Sequence, residues 1–150
     1  MPLVGVVMGS KSDEALMRPA LDILDSLKID FEVSIISAHR TPEKAREYGQ
    51  SARGRGIEVI IAGAGWSAHL PGVIASWTTI PVIGVPLATN VLKGMDALYS
   101  IVQMPGGVPV ACVGIDGAKN AALLAASILG LKHEDIRESY ESYRHSLGSQ

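Results

Sequence analysis

Three short polar segments of the sequence contain the side chains best suited to chemistry, and each follows a run of apolar residues. The first segment, residues 9–13, contains Ser10, Ser12 and Asp13. Hydroxyl groups and free backbone N–H groups at the start of a helix can bind an anion such as phosphate, helped by the helix dipole. Asp13 could instead bind sugar hydroxyls. The alternative is that Ser12 or Asp13 simply caps a helix.

The second segment, residues 37–41, places a histidine beside an arginine. An imidazole exchanges protons near neutral pH, and a guanidinium group binds phosphate. His39 is therefore a candidate general acid/base, and Arg40 a candidate phosphate ligand. Histidines in loops are more often structural, but a position between a strand and a Thr-Pro helix start favours a functional role for His39.

The third segment, residues 63–69, is rich in glycine and ends at His69. It matches the dinucleotide pattern G-x-G-x-x-A. However, the match follows the third strand instead of the first, and no acidic residue lies about 20 positions later to bind a ribose, so a dinucleotide site is disfavoured. The segment also lacks the last glycine of a G-x-S-x-G nucleophile elbow, which disfavours a hydrolase. Its glycines are better explained by close approach of the backbone to a small ligand.

The composition favours one globular α/β domain over residues 1–150. Hydrophobic residues make up 47% of the chain and aromatic residues only 5%, so the core must be aliphatic. A net charge of −2 provides no basic field for a nucleic acid or an anionic membrane. No apolar run approaches the ~18 residues of a membrane span, and residues 1–4 lack the basic region of a signal peptide. We therefore expect a cytoplasmic protein with a small-molecule partner.

Cofactor and metal motifs are also missing from the sequence. The single cysteine, Cys112, lies in an apolar run and cannot form an internal disulfide, so a buried thiol is expected. Neither Cys112 nor the histidines have metal-ligand spacing, and there is no G-x-x-x-x-G-K-[ST] motif. We expect no metal and no nucleoside triphosphate.

The elements that must position the three segments alternate between strands and helices. Short apolar runs predict five strands of a parallel sheet covered on both faces, at residues 3–8, 31–36, 59–62, 82–85 and 110–113. Loops that follow parallel strands lie at the same edge of the sheet, so the three segments should converge.

Helical patterns separate and follow these strands. They predict a first helix with an apolar stripe from Leu16 to Leu27, a second capped by Thr41 with Pro42 in its first turn, a third opened by Leu70 and Pro71, and two more at residues 120–131 and 134–145. Pro19 either kinks the first helix or delays its start. The helix at 120–131 is too apolar to face water, so it is buried or meets a partner subunit. Residues 146–150 are expected to fray.

Four ordered motifs make the chain resemble the class I N5-carboxyaminoimidazole ribonucleotide mutases of bacterial purine synthesis. These motifs are residues 8–13, 37–42, 68–72 and 100–105, and the resemblance covers nearly the whole sequence. It implies a flavodoxin-like three-layer α/β/α sandwich with a central parallel sheet and a C-terminal helix. It further implies a homo-octamer with active sites near subunit contacts, and no cofactor or metal.

The resemblance also implies roles for individual residues. In the family's proposed chemistry, the substrate carbamate breaks down to carbon dioxide and aminoimidazole ribonucleotide, which recombine at the ring carbon, and His39 matches the general acid/base. Positions matching the family's nucleotide-binding residues are Ser10, Asp13 and Arg40, with Ser12 and Ser37 as neighbours. The loop expected to enclose the carbon dioxide or carboxylate contains Gly65, Ala68 and His69, with Leu70 after it.

One departure from the family pattern concerns the third segment, where Trp66 and Ser67 replace the usual Gly-Ala pair. We expect the indole to point outward, because an inward indole would narrow the carboxylate pocket. Two alternative functions differ in testable ways. Class II enzymes carboxylate aminoimidazole ribonucleotide directly with carbon dioxide and lack the Ala-His-Leu-Pro-Gly run of residues 68–72. A non-enzymatic flavodoxin-like nucleotide sensor would have no use for a proton-transferring His39.

Overall fold

Five parallel strands form the centre of the fold in this computed structural model, which describes residues 1–149. The strands are β1 (Val4–Met8), β2 (Phe31–Ile35), β3 (Val59–Ala64), β4 (Val82–Pro86) and β5 (Ala111–Cys112). Their order in the sheet is β2-β1-β3-β4-β5. This is the flavodoxin-like order, in which the direction of chain progression reverses between β1 and β3. The predicted fold class is confirmed.

Six α-helices cover the two faces of the sheet. They are α1 (Glu14–Ser26), α2 (Pro42–Ala52), α3 (Leu70–Ser76), α4 (Met95–Val102), α5 (Ala118–Leu129) and α6 (Glu134–Leu147), with 3₁₀ turns at Lys11–Asp13 and Arg53–Arg55. The core on one face includes residues of α1, α5 and α6, and the core on the other includes residues of α2, α3 and α4. The chain is therefore a three-layer α/β/α sandwich.

The central strands are apolar on both sides because each side faces a different core. In β3, Val59 and Ile61 belong to the core with α1 and α5, whereas Ile60 and Ala62 belong to the core with α2 and α3. All four side chains are fully buried. Because successive side chains enter two different cores, the central strands have continuous apolar sequences. A sheet exposed on one face would instead alternate apolar and polar residues.

The edge strand β5 is shorter than predicted, with two residues in place of four. Pro109 has no N–H to donate to a neighbouring strand, so regular pairing begins only after it. The ladder pairs Ala111 with Ile83 and Cys112 with Gly84. Beyond it, the Val113 N–H donates to the Gly84 carbonyl and the Asp116 N–H donates to the Pro86 carbonyl.

The structure decides two alternatives that the sequence left open for the helices, and it corrects one helix end. Helix α1 begins at Glu14 and contains Pro19, so a delayed helix start is wrong. Helix α5 is buried within the chain, where it packs on α1 and the sheet, so its apolar sequence does not require a partner subunit. Helix α6 continues to Leu147, which includes two residues assigned to the frayed end; the last residue, Gln150, lies outside the described residues.

Helix α2, which follows the His39–Arg40 loop, is seated on the sheet by a close contact at Gly5. A Cβ atom at Gly5 would lie 2.0 Å from the Tyr48 hydroxyl oxygen, so only glycine lets the tyrosine lie across β1. The Tyr48 hydroxyl donates to Glu32 Oε1 on β2 at 3.0 Å. Burial, together with the negative charge of Glu32, raises the pKa of Tyr48. Within residues 1–149, no helix is long and apolar enough to cross a membrane.

Candidate active site

The three polar segments converge, as predicted, on a cavity of about 480 Å³ at the carboxyl ends of β1, β2 and β3. Its position coincides with the reversal of strand order between β1 and β3, where ligands bind in open parallel sheets. The candidate residues that line the cavity are Ser10, Ser12, Asp13, Ser37, His39, Arg40, Gly65 and Leu70. Ala68 and His69 are not among the lining residues: Ala68 is buried in the core, and His69 contacts His39, which does line the cavity.

Ser10 organises the first loop. Its hydroxyl oxygen accepts a hydrogen bond from the Ser12 N–H at 3.3 Å and lies 2.9 Å from the Ser12 hydroxyl oxygen. Ser10 is thus the cap of the 3₁₀ turn that leads into α1. Asp13 occupies the N-cap position of α1, but its carboxylate makes no capping hydrogen bond. Asp13 is therefore the N-cap residue by position only, without a side-chain capping bond, and Ser12 is not the N-cap residue of α1.

Asp13 is the buried charged residue of this site, with only 6% of its surface exposed. Burial raises the pKa of its carboxyl group, and the Ser10 backbone N–H acts in the opposite direction. None of the ion pairs in the described part of the chain includes Asp13. A ligand hydroxyl that reaches the carboxylate could donate a further hydrogen bond to this buried acidic group.

Hydrogen bonds among its own residues hold the second loop in its conformation. The Ser37 hydroxyl oxygen accepts from the Arg40 N–H at 3.1 Å and from Arg40 Nε at 3.2 Å. Thr41 Oγ1 accepts from the Ser37 N–H at 3.1 Å and donates to the Ser37 carbonyl at 2.9 Å. Thr41 is the N-cap residue of α2, as predicted, but its side chain makes no capping hydrogen bond because the hydroxyl group is used within the loop.

This arrangement leaves the two terminal guanidinium nitrogens of Arg40 available to bind a ligand. The guanidinium group is oriented through Nε, and neither of its terminal nitrogens makes a hydrogen bond to another described residue. Terminal nitrogens held in this way match the spacing of phosphate oxygens. Arg40 is thus positioned to bind an oxyanion in the cavity.

The second and third loops meet through their histidines. His39 Nε2 lies 2.8 Å from His69 Nδ1, and the ring planes are 85° apart with centroids separated by 4.9 Å. At this distance one proton lies between the two nitrogens, and it belongs to one ring or the other according to tautomer. Both side chains are exposed to solvent. The pair can therefore exchange protons with a ligand in the cavity and with water.

The third loop also brings Trp66 to the cavity, alongside Gly65, and the segment after β4 adds Thr89. A Cβ atom at Gly65 would lie 2.1 Å from Thr89 Oγ1, so the loop packs directly on the segment after β4. Trp66 is 62% exposed, so its indole does not fill the pocket, but the residue lines the cavity. Its φ of 54° is left-handed, a conformation that costs a residue other than glycine about 1–3 kcal/mol.

Thr89 was not among the predicted site residues. The signal for it was its position shortly after β4, at the same edge of the sheet as the other three loops. Cys112 lies elsewhere, half-buried in β5, and burial raises the pKa of its thiol. Among residues 1–149, no group of three or more His, Cys, Asp or Glu side chains is placed to bind a metal ion.

The fold and the cavity together define a flavodoxin-like α/β protein in which groups that can bind an anion and groups that can transfer a proton line one site. The sequence matches the family described as AIR carboxylase over residues 3–150. It is 58% identical to the N5-carboxyaminoimidazole ribonucleotide mutase of Pyrococcus abyssi, over 98% of this chain and 84% of that protein. The corresponding protein of Bacillus subtilis is 57% identical, over 95% of this chain and 90% of its own length.

A solved structure shares the fold. The crystal structure of Treponema denticola PurE superposes with a TM-score of 0.90 at 32% sequence identity, covering 99% of this chain and 93% of that one. The chain belongs to the AIR carboxylase family. It is an enzyme of that family.

Proposed function

We propose that the protein converts N5-carboxyaminoimidazole ribonucleotide to 4-carboxy-5-aminoimidazole ribonucleotide in de novo purine synthesis, with His39 as the general acid/base. The observation that carries the proposal is the His39–His69 pair at a cavity lined by hydroxyl, carboxylate and guanidinium groups. The names of the relatives from Pyrococcus abyssi and Bacillus subtilis support the same reaction. We expect the enzyme to act in the cytoplasm on this metabolite.

The polar residues of the cavity can be assigned to parts of the ribonucleotide by their chemistry. The Ser10 and Ser12 hydroxyls and the terminal nitrogens of Arg40 suit the 5′-phosphate, since all three donate hydrogen bonds and Arg40 adds charge. The buried Asp13 carboxylate suits the ribose hydroxyls, because these neutral groups can donate hydrogen bonds to it without adding a second charge to the site. This assignment leaves the heterocycle near His39 and the third loop.

The reaction is an isomerisation, so a proton that the enzyme donates in one step must be taken back in a later step. The bond between N5 and the carboxyl carbon breaks, carbon dioxide leaves with its oxygens, and His39 delivers a proton to the nitrogen. The ring carbon C4 then forms a bond to carbon dioxide, and neutral His39 removes the C4 proton to restore aromaticity. One proton is given and one is taken, so His39 finishes as it began. His69 positions the imidazole through the 2.8 Å contact.

The third loop is proposed to hold carbon dioxide between the two steps. Gly65 presents backbone next to Thr89, and the buried Leu70 side chain provides an apolar surface at the cavity. A site that excludes water limits escape of the intermediate. Direct carboxylation with free carbon dioxide is the second candidate, because His39 and His69 are both exposed in the single chain.

We also propose that the enzyme is a homo-octamer, in which neighbouring copies complete the walls of the cavity. Support comes from apolar side chains that the single chain leaves uncovered on α4 and the segment before it. They are Val91, Leu92, Met95, Tyr99 and Val102, and Val91 is 90% exposed. An apolar surface of this kind on one helix is typical of a contact between subunits.

The variant His39→Asn tests the proposed role of His39. Asparagine keeps a hydrogen-bonding group near the position of His39 Nδ1 but cannot transfer a proton, so turnover should fall by about 10²- to 10⁴-fold. The dissociation constant of the product ribonucleotide, measured by calorimetry, should change little. His145→Asn, in the exposed last turn of α6, is the matched control and should behave as wild type. Turnover of His39→Asn at the wild-type rate would contradict the assignment.

A further inference from the structure

We infer that Trp66 stacks on the heterocycle of the bound ribonucleotide and is a determinant of affinity for the base. This inference rests on the proposed function, because it needs a ribonucleotide in the cavity. Trp66 lines the same cavity as Ser10, Asp13 and Arg40. The aminoimidazole ring is flat, and an indole offers it the largest aromatic face in the described lining.

The position of Trp66 in the third loop places it on the base side of the cavity. It lies three residues before His69, whose ring contacts His39, the proposed proton-transfer group. The phosphate-binding groups come from the first and second loops. A ligand that presents its phosphate to those loops and its ring carbon to His39 therefore brings its base next to the third loop.

The conformation of Trp66 supports a ligand contact over a purely structural role. The side chain is 62% exposed and belongs to neither of the two buried cores, so it does not stabilise the fold by burial. Its φ of 54° is one that glycine would adopt without strain. A flat ligand that covers the exposed indole buries its apolar surface, which is favourable. Backbone strain of this kind is concentrated at functional sites, which is consistent with a role in binding.

The other tryptophan provides an internal comparison. Trp77 follows α3 and lies beside Gly49 of α2, with the Arg46 guanidinium carbon 4.9 Å from its ring centroid. It does not line the cavity of the site. Since the chain has two tryptophans, each single substitution leaves one fluorescent indole in a known position.

The experiment uses Trp77→Phe, which reports on Trp66, and Trp66→Phe, which reports on Trp77. Each protein is titrated with 4-carboxy-5-aminoimidazole ribonucleotide and with ribose 5-phosphate, which has no base. We expect the ribonucleotide to quench Trp66 fluorescence and to leave Trp77 fluorescence unchanged. Ribose 5-phosphate should quench neither. Binding of the ribonucleotide without a change in Trp66 fluorescence would overturn the inference.

Affinity provides the second readout. Trp66→Gly, which also removes the left-handed strain, should bind the ribonucleotide about tenfold more weakly, within the range measured for base stacking on aromatic side chains. Its affinity for ribose 5-phosphate should be unchanged, and Trp66→Phe should retain most of the affinity for the ribonucleotide. Equal affinity of Trp66→Gly and wild type would overturn the inference alone. Failure of wild type to bind the ribonucleotide would overturn the proposed function as well.

Discussion

Arg40 shows how one loop residue is prepared for a ligand by its neighbours. Its Nε donates to the Ser37 hydroxyl, and Ser37 is itself held by Thr41 through two hydrogen bonds. The guanidinium group is thus oriented before a phosphate arrives, which reduces the entropy lost on binding. Arg40 should contribute to the affinity for the ribonucleotide more than to the chemical step.

The variant Arg40→Ala tests this division of roles. Hydrogen bonds to a charged group are each worth about 1.5–3 kcal/mol, so affinity for the product ribonucleotide should fall by about 10- to 150-fold. Turnover at saturating substrate should change much less. Arg144→Ala, on the exposed side of α6, makes the same change in net charge and should leave both values near wild type. An unchanged dissociation constant with lowered saturated turnover would assign Arg40 to the chemical step instead.

Single residues were predictable from the sequence where their chemistry and their position after a strand coincided. Ser10, Asp13 and His39 met both conditions, and they line one cavity. Thr41 was assigned the wrong partner, because a hydroxyl that can cap a helix can equally bond back to a loop carbonyl. The contact between Gly65 and Thr89 joins segments of the chain that only the folded sheet brings together.

At the scale of elements, the hydrophobic pattern predicted the strands and most helices because each buries apolar side chains with a fixed period. The bounds were less predictable. Helix α4 received no predicted bounds, since its apolar residues lie both inward, as Ala97 and Ile101 do, and outward, as Tyr99 and Val102 do. A helix that is apolar on two sides does not show the regular alternation of apolar and polar faces by which helices are recognised in a sequence.

The outward face of α4 makes a prediction about assembly. Tyr99→Glu should place a charge in the proposed subunit contact and shift the octamer to smaller species, which sedimentation velocity measures. Leu131→Glu is the matched control, because Leu131 is an 89% exposed apolar residue between α5 and α6, away from α4. We expect the control to remain octameric. A wild-type protein that sediments as a monomer, or a Tyr99→Glu variant that sediments as wild type does, would contradict the proposed contact.

At the scale of the whole molecule, the fold gathers four strand-end segments around one cavity at the reversal of strand order. Topology therefore explains why residues as distant in sequence as Ser10 and Thr89 share a site. In a single subunit the His39 and His69 side chains are exposed to solvent. This exposure matters for the reaction, because it determines whether carbon dioxide can escape from the site. A mutase must retain carbon dioxide between two steps, whereas a direct carboxylase draws it from solution.

The fate of the carboxyl carbon distinguishes a mutase from an enzyme that carboxylates aminoimidazole ribonucleotide directly. The purified enzyme is given N5-carboxyaminoimidazole ribonucleotide with an isotopically labelled carbamate carbon, in buffer containing unlabelled bicarbonate, and the product is analysed by mass spectrometry. A parallel reaction starts from aminoimidazole ribonucleotide and bicarbonate. We expect a faster reaction with the carbamate and retention of the label in the product carboxylate. Loss of the label to the buffer, with faster product formation from aminoimidazole ribonucleotide and bicarbonate, would contradict this expectation.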